Sequence, residues 1–195
     1  TLDIGGTDVT STAAELNVLD GALKENNSIW IGNDPASTTN SALQSVALGT
    51  TALDAITTGD YNTAMGYDAL TNQTTGNNNV AIGYEALRDN STTSNNVAIG
   101  LSALQESNAA SNVAIGANAL RGTTNTPITG GENVAVGSSS LKFNIGGTAN
   151  AAVGKGSLGN NTEGDYNSAL GKGSLNDNTE GSNNTALGYL LGNTG

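Results

Sequence analysis

The sequence predicts an all-β protein, a parallel β-solenoid of about ten coils of 17 residues each, with a short helix ahead of the stack. Three observations carry this reading. A nine-residue phrase recurs in ten full or degraded copies, its central glycines are almost evenly spaced, and only 4% of the residues are aromatic. So few large side chains cannot fill a thick globular core, whereas a strict short period is the signature of a stacked repeat.

The phrase is clearest in Asn79-Val-Ala-Ile-Gly-Tyr-Glu-Ala-Leu87 and Asn96-Val-Ala-Ile-Gly-Leu-Ser-Ala-Leu104. It returns at Asn112 to Leu120, Asn133 to Leu141, Asn150 to Leu158 and Asn167 to Leu175, and upstream at Ser45 to Leu53 and Asn62 to Leu70. Ser28-Ile-Trp-Ile-Gly32 and Asn184-Thr-Ala-Leu-Gly188 are degraded outer copies. The repeat glycines are Gly32, Gly49, Gly66, Gly83, Gly100, Gly116, Gly137, Gly154, Gly171 and Gly188, and seven of their nine intervals are 17 residues, the others 16 and 21. Ordered Val, Ile and Leu at such intervals exclude a disordered chain.

A second glycine precedes most motif asparagines by three residues, as at Gly59, Gly76, Gly130, Gly147, Gly164 and Gly181, with Thr93 and Ala109 as exceptions. It marks a positive φ or a place too tight for a Cβ, and the asparagine beside it suits a turn. Each period thus reads as turn, short strand, turn, short strand. Seventeen residues are too few for a two-helix repeat but suit one solenoid coil.

Val80, Ala81 and Ile82 form the continuous apolar run of a strand buried on both faces. Val80 and Ile82 point one way and Ala81 the other. Which face points into the coil is left open by the pattern. The expected repeat core consists of Val80, Ile82, Leu87, Val97, Ile99, Leu104, Val113, Ile115, Leu120, Val134, Val136 and Leu141. The small Ala/Gly face is then expected against partner chains. Three aliphatic side chains per coil stabilise less than ordering the coil costs, so an obligate oligomer is expected.

Residues 1–27 do not follow the period and read as an adapter, 28–192 as the solenoid, and 193–195 as its end. Within the adapter, Thr12-Ala-Ala-Glu15 is a capping box, Leu16 and Leu19 share a helical face, and Gly21 closes the helix. Pro127 falls inside the one long interval and Pro35 after the first copy, so both avoid regular strands. Leu190 and Leu191 replace the usual residues of the last copy and read as a cap or a join to another segment. A start at Thr1 rather than Met is expected of part of a longer product.

Asn-Val-Ala-Ile-Gly-x-x-Ala/Ser-Leu, over about residues 28–192, resembles the YadA-like head repeat of trimeric autotransporter adhesins. That resemblance implies a left-handed β-roll wound from three identical chains. The period of 17 and the frequent leucine at the ninth position depart from that family's shorter repeat. The opening Val9-Thr-Ser-Thr-Ala-Ala-Glu-Leu-Asn-Val-Leu-Asp-Gly21 looks like a segment of bacteriophage tail-fibre proteins, in which repeats similar to Asn62 to Leu70 also occur. Together they imply a phage tail or appendage fibre in the virion, a rigid homotrimeric rod for host attachment, partnered by other fibre or virion proteins and by a host-surface glycan or receptor. The alternative is the head of a trimeric adhesin on a bacterial surface.

The chemistry of a catalyst is hard to find. There is no histidine and no cysteine, so no imidazole base and no zinc or haem ligand set; no enzyme activity and no cofactor is expected. The pair Gly146-Gly147 lacks the lysine and helix of a phosphate loop. Six scattered Lys and Arg against a net charge of −11 argue against nucleic acid as a partner, and no apolar run is long enough for membrane insertion. Asp68 and Glu85, two residues after consecutive repeat glycines, are the one weak metal-site candidate, read as solvated surface charges. Tyr67 and Tyr84 stack in the neighbouring column and read as a cross-strand pair rather than a sugar platform. Asn62, Asn79, Asn96 and Asn112 are placed to form an amide ladder.

Overall fold

The computed structural model describes residues 42–123 and 126–191, with the backbone of three short strands nearer the N-terminus. Those strands are β1 (Leu2–Ile4), β2 (Thr7–Val9) and β3 (Ile29–Gly32), and β1 pairs antiparallel with β2. The helix expected over Thr12 to Gly21, Pro35 and residues 193–195 lie outside the described residues.

One strand follows in each repeat: β4 (Val46–Gly49), β5 (Thr63–Met65), β6 (Val80–Ile82), β7 (Val97–Ile99), β8 (Val113–Ile115), β9 (Val134–Val136), β10 (Ala151–Val153), β11 (Ser168–Leu170) and β12 (Thr185–Leu187). Together with β3 they form a single parallel sheet whose strand order is the sequence order. Register follows the motif without slippage: Val80 pairs Val97, Ala81 pairs Ala98 and Ile82 pairs Ile99. The protein is a parallel β-solenoid, and β4 to β12 enclose about eight turns. No helix occurs among the described residues.

The opposite side of each coil is a turn, not the second strand the period suggested. There the motif leucines adopt the left-handed backbone region, with φ 51° at Leu87 and 50° at Leu104. That conformation costs an L-residue roughly 1–2 kcal/mol, which burial of a leucine side chain, about 1.5–3 kcal/mol, offsets. The turns are also laddered: Leu70 N–H donates to Ala86 O at 3.0 Å, and Leu87 N–H to Ala103 O at 3.0 Å. Neighbouring coils are therefore bonded on the leucine side as well as along the sheet.

The lumen corrects the expected core. The middle alanine of β5 to β10 points inward: Ala64, Ala81, Ala98, Ala114, Ala135 and Ala152 are 0% exposed. They face Leu70, Leu87, Leu104, Leu120, Leu141 and Leu158, equally buried. Leu87, Leu104, Leu120 and Leu141 are thus core residues as expected. Val80, Ile82, Val97, Ile99, Val113, Ile115, Val134 and Val136 are not; they point out of the coil and are half-buried to exposed. The cause is size. A closed coil of this length leaves room for one leucine across from one alanine, and a β-branched residue in the alanine's place would overfill it.

The long interval between Gly116 and Gly137 is absorbed without breaking the stack. Ile128 bridges to Ser107 in parallel and is fully buried, while Thr123 bridges to Thr126 and Pro127 stays exposed. Thr126 and Pro127 lie at the surface, as the proline's position suggested.

Candidate functional site

The outward strand face is an organised surface that runs along successive coils. Two columns run along it, one on each side of the buried alanines. The first is Val46, Thr63, Val80, Val97, Val113, Val134, Ala151, Ser168 and Thr185; the second is Leu48, Met65, Ile82, Ile99, Ile115, Val136, Val153, Leu170 and Leu187. None of these residues is charged, although the chain carries 17 acidic and six basic residues. Leu48 is 38% exposed, Met65 41% and Leu170 50%. At about 4.8 Å per coil the ribbon runs close to 40 Å. Thr63, Ser168 and Thr185 apart, the face is apolar, and a contiguous apolar surface marks an interaction site more often than chance exposure.

Backbone geometry keeps the ribbon straight. Each strand ends at a repeat glycine with φ near +130°, such as Gly83 at 132°. A Cβ on Gly83 would lie 2.6 Å from Gly100 O in the next coil, so only glycine allows both the bend and the close stacking. The second glycine column works differently. Gly76 has an ordinary φ, but a Cβ there would run into the Thr93 carbonyl and the Gln73 side chain. Of the two reasons the sequence offered for that glycine, tightness is the one that applies.

Inside the coil, the motif asparagines form the expected ladder. Asn79 N–H donates to Asn62 Oδ1 at 3.0 Å, Asn96 N–H to Asn79 Oδ1 at 3.0 Å, and Asn112 N–H to Asn96 Oδ1 at 2.9 Å. Their φ is ordinary; the left-handed residue is the one before, as at Asn78 and Asn95. A second ladder was not expected: Asn161 Nδ2 donates to Asn144 Oδ1 at 2.9 Å, Asn178 Nδ2 to Asn161 Oδ1 at 2.8 Å, and Asn90 Nδ2 to Gln73 Oε1. Its signal was present as an amide three residues after the motif leucine. Both ladders satisfy buried polar groups, with Gln73 Nε2 as an exception.

The chain matches no known protein family, no characterised protein and no solved structure. Its geometry alone therefore bears on function.

Asp68 and Glu85 do not converge on a shared ligand. Thr51 Oγ1 donates to Asp68 Oδ1, whereas Glu85 Oε2 accepts from Gln105 Nε2 and pairs with Arg88 Nη1 at 3.3 Å. Arg88 also bonds Asp89, with Nη2 donating to Oδ2 at 2.7 Å, and these carboxylates raise its pKa further above the usual value. Each acid is spent on its own neighbours in a surface network. Among the described residues no cluster of three His, Cys, Asp or Glu is assembled.

Tyr67 and Tyr84 stack at 5.5 Å between ring centroids and 12° between planes. Their faces turn along the rod axis against one another, so a sugar ring cannot lie between them. The pair stabilises adjacent coils, as the column pattern suggested. The Tyr84 hydroxyl donates to Glu85, and that bond with the carboxylate charge raises the phenol's pKa above 10.0.

Proposed function

We propose that the protein is a rod segment of a trimeric fibre, of the phage tail or appendage kind, in which the outward Val/Ile face of each chain packs against the same face of two copies around a common axis. The observation that carries this reading is an uncharged, largely apolar outer face on a parallel sheet whose inner face is already closed by alanines. Parallel sheets are ordinarily covered on both faces. Val and Ile columns in register over successive coils offer a self-complementary surface that a second copy can meet, coil against coil.

The Val/Ile face replaces the Ala/Gly interface first expected, since the buried alanines are not available to a partner. In this reading the strand Ile29–Gly32, paired in parallel with β4, is the first of ten coils, the roll is left-handed, and residues 1–27 are the adapter that precedes it. Ten coils give a rod of roughly 50 Å. It would act mechanically, holding a host-binding part away from its base, with a surface rich in Asn, Ser and Thr outside the contact.

Solution mass by light scattering tests the assembly. A mass of about 58 kDa, three chains of 19.3 kDa, is expected without denaturant. A folded species of one chain would refute the packed face. Fibre attachment would then be read from virions: antibody to residues 42–191 should decorate a tail or fibre.

A further inference from the structure

The last described coil differs from those above it at one corner. Along the rod each repeat glycine presses on the next coil: a Cβ on Gly66 would lie 2.6 Å from Gly83 O, and one on Gly154 would lie 2.5 Å from Gly171 O. At Gly188 that direction is filled by a side chain of the same coil. Leu191 Cδ1 stands 2.8 Å, and its Cγ 3.4 Å, from where a Cβ on Gly188 would be.

The backbone has not left the coil path at this point. Leu190 N–H donates to Lys172 O at 3.1 Å, and Leu175 N–H to Leu191 O at 2.8 Å. The coil above makes the equivalent bonds, Gly173 N–H to Lys155 O at 2.9 Å and Leu158 N–H to Ser174 O at 2.9 Å. Only the side chains differ. In the place of Leu191 the earlier coils carry Ala86, Ala103 and Ala119, then Ser140, Ser157 and Ser174, all fully buried. A leucine there does not fit beneath a further closed coil. Leu190 packs back onto the coil above, its Cδ2 under the bare Cα of Gly173.

We propose that Leu190 and Leu191 are a built-in cap that ends the coil stack. Leu191 fills the position that the backbone of a following coil's repeat glycine would take. Chain beyond it leaves the solenoid path instead of laying down another coil in register. The cap depends on the solenoid alone and is independent of the trimer.

The test extends the full chain by a second copy of residues 175–191 placed after Leu191, which supplies one more coil of 17 residues. One version keeps the internal Leu190 and Leu191; the other carries L190G and L191S, the pair found at Gly173 and Ser174. Hydrogen exchange by mass spectrometry follows the added copy, with the coil of Ser168–Leu170 as an internal control for folding. With the leucines kept, the added copy is expected to exchange as unstructured chain and to be trimmed by protease. With L190G/L191S it should exchange as slowly as the coil above. Equal protection in both versions, or protection in neither, would overturn the cap.

Discussion

Asn62 Oδ1 accepts two hydrogen bonds from one residue in the next coil, the backbone N–H of Asn79 at 3.0 Å and its side-chain Nδ2 at 3.2 Å. Asn79 Nδ2 in turn donates to Thr93 O at 2.9 Å, and Asn79 Oδ1 accepts from the N–H of Asn96. One buried amide therefore joins three coils. Such a group is cheap to keep and expensive to lose, because each truncated bond strands a buried partner.

Asn79→Leu removes an acceptor from the Asn96 N–H and a donor from Thr93 O. We expect a loss of about 3 kcal/mol in urea unfolding, with the β-rich circular dichroism spectrum retained. A loss below about 0.5 kcal/mol would mean that the ladder is ornamental.

Gln73 tests the converse. It is fully buried, and its Nε2 has no hydrogen-bond partner. Asn90 Nδ2 would keep Thr93 O, at 3.2 Å, if the Gln73 acceptor were removed. Gln73→Met is expected to change stability by less than about 1 kcal/mol in either direction. A cost like that of Asn79→Leu would show the second ladder to be as important as the first.

Glycines in the repeat should divide sharply. A Cβ on Gly83 meets the Gly100 carbonyl at 2.6 Å, whereas one on Gly156, at φ 66°, meets nothing nearer than 3.9 Å. Gly156→Ala should cost about 1 kcal/mol, the left-handed penalty alone. Gly83→Ala should cost at least about 3 kcal/mol more or prevent folding, since backbone has to move. Thermal melts of the two variants side by side settle the comparison.

On the outward face, Ile99→Lys should dissociate the proposed trimer, and sedimentation should show a folded smaller species. Tyr84→Lys, at an exposed corner beyond the ribbon, should leave the mass unchanged. An unaltered mass for both variants would place the contact elsewhere.

Tyr84 offers a spectroscopic check on the surface network. Its neutral hydroxyl donates to Glu85, and the nearby negative charges oppose the phenolate, so its pKa lies above 10.0. Glu85→Gln removes the charge, and the tyrosinate absorbance should then appear at lower pH. A titration unchanged by that substitution would break the link.

Much of the fold was legible because it is periodic. Evenly spaced glycines after Val-Ala-Ile specify a strand that pairs with its own next copy, and Ala81 opposite Ala98 follows directly. Alternation told that Ala81 and Ile82 face apart. It was silent on which faces inward, and the expected core put Ile82 on the wrong side. Leu87 gave no warning of its left-handed φ, since neither glycine nor asparagine marks the place. Gln73 and Asn90 were readable as a column but unremarkable as sequence.

The sequence by itself determined the stack, its register and the inward leucines, because a repeated phrase can pair with itself in only one phase. The tertiary structure decided what occupies the inside. Closing a coil in 17 residues sets the distance from strand to leucine turn, and at that distance alanine fits and valine does not. The larger residues are thereby turned outward along one face of the rod, a consequence of curvature that no single repeat contains.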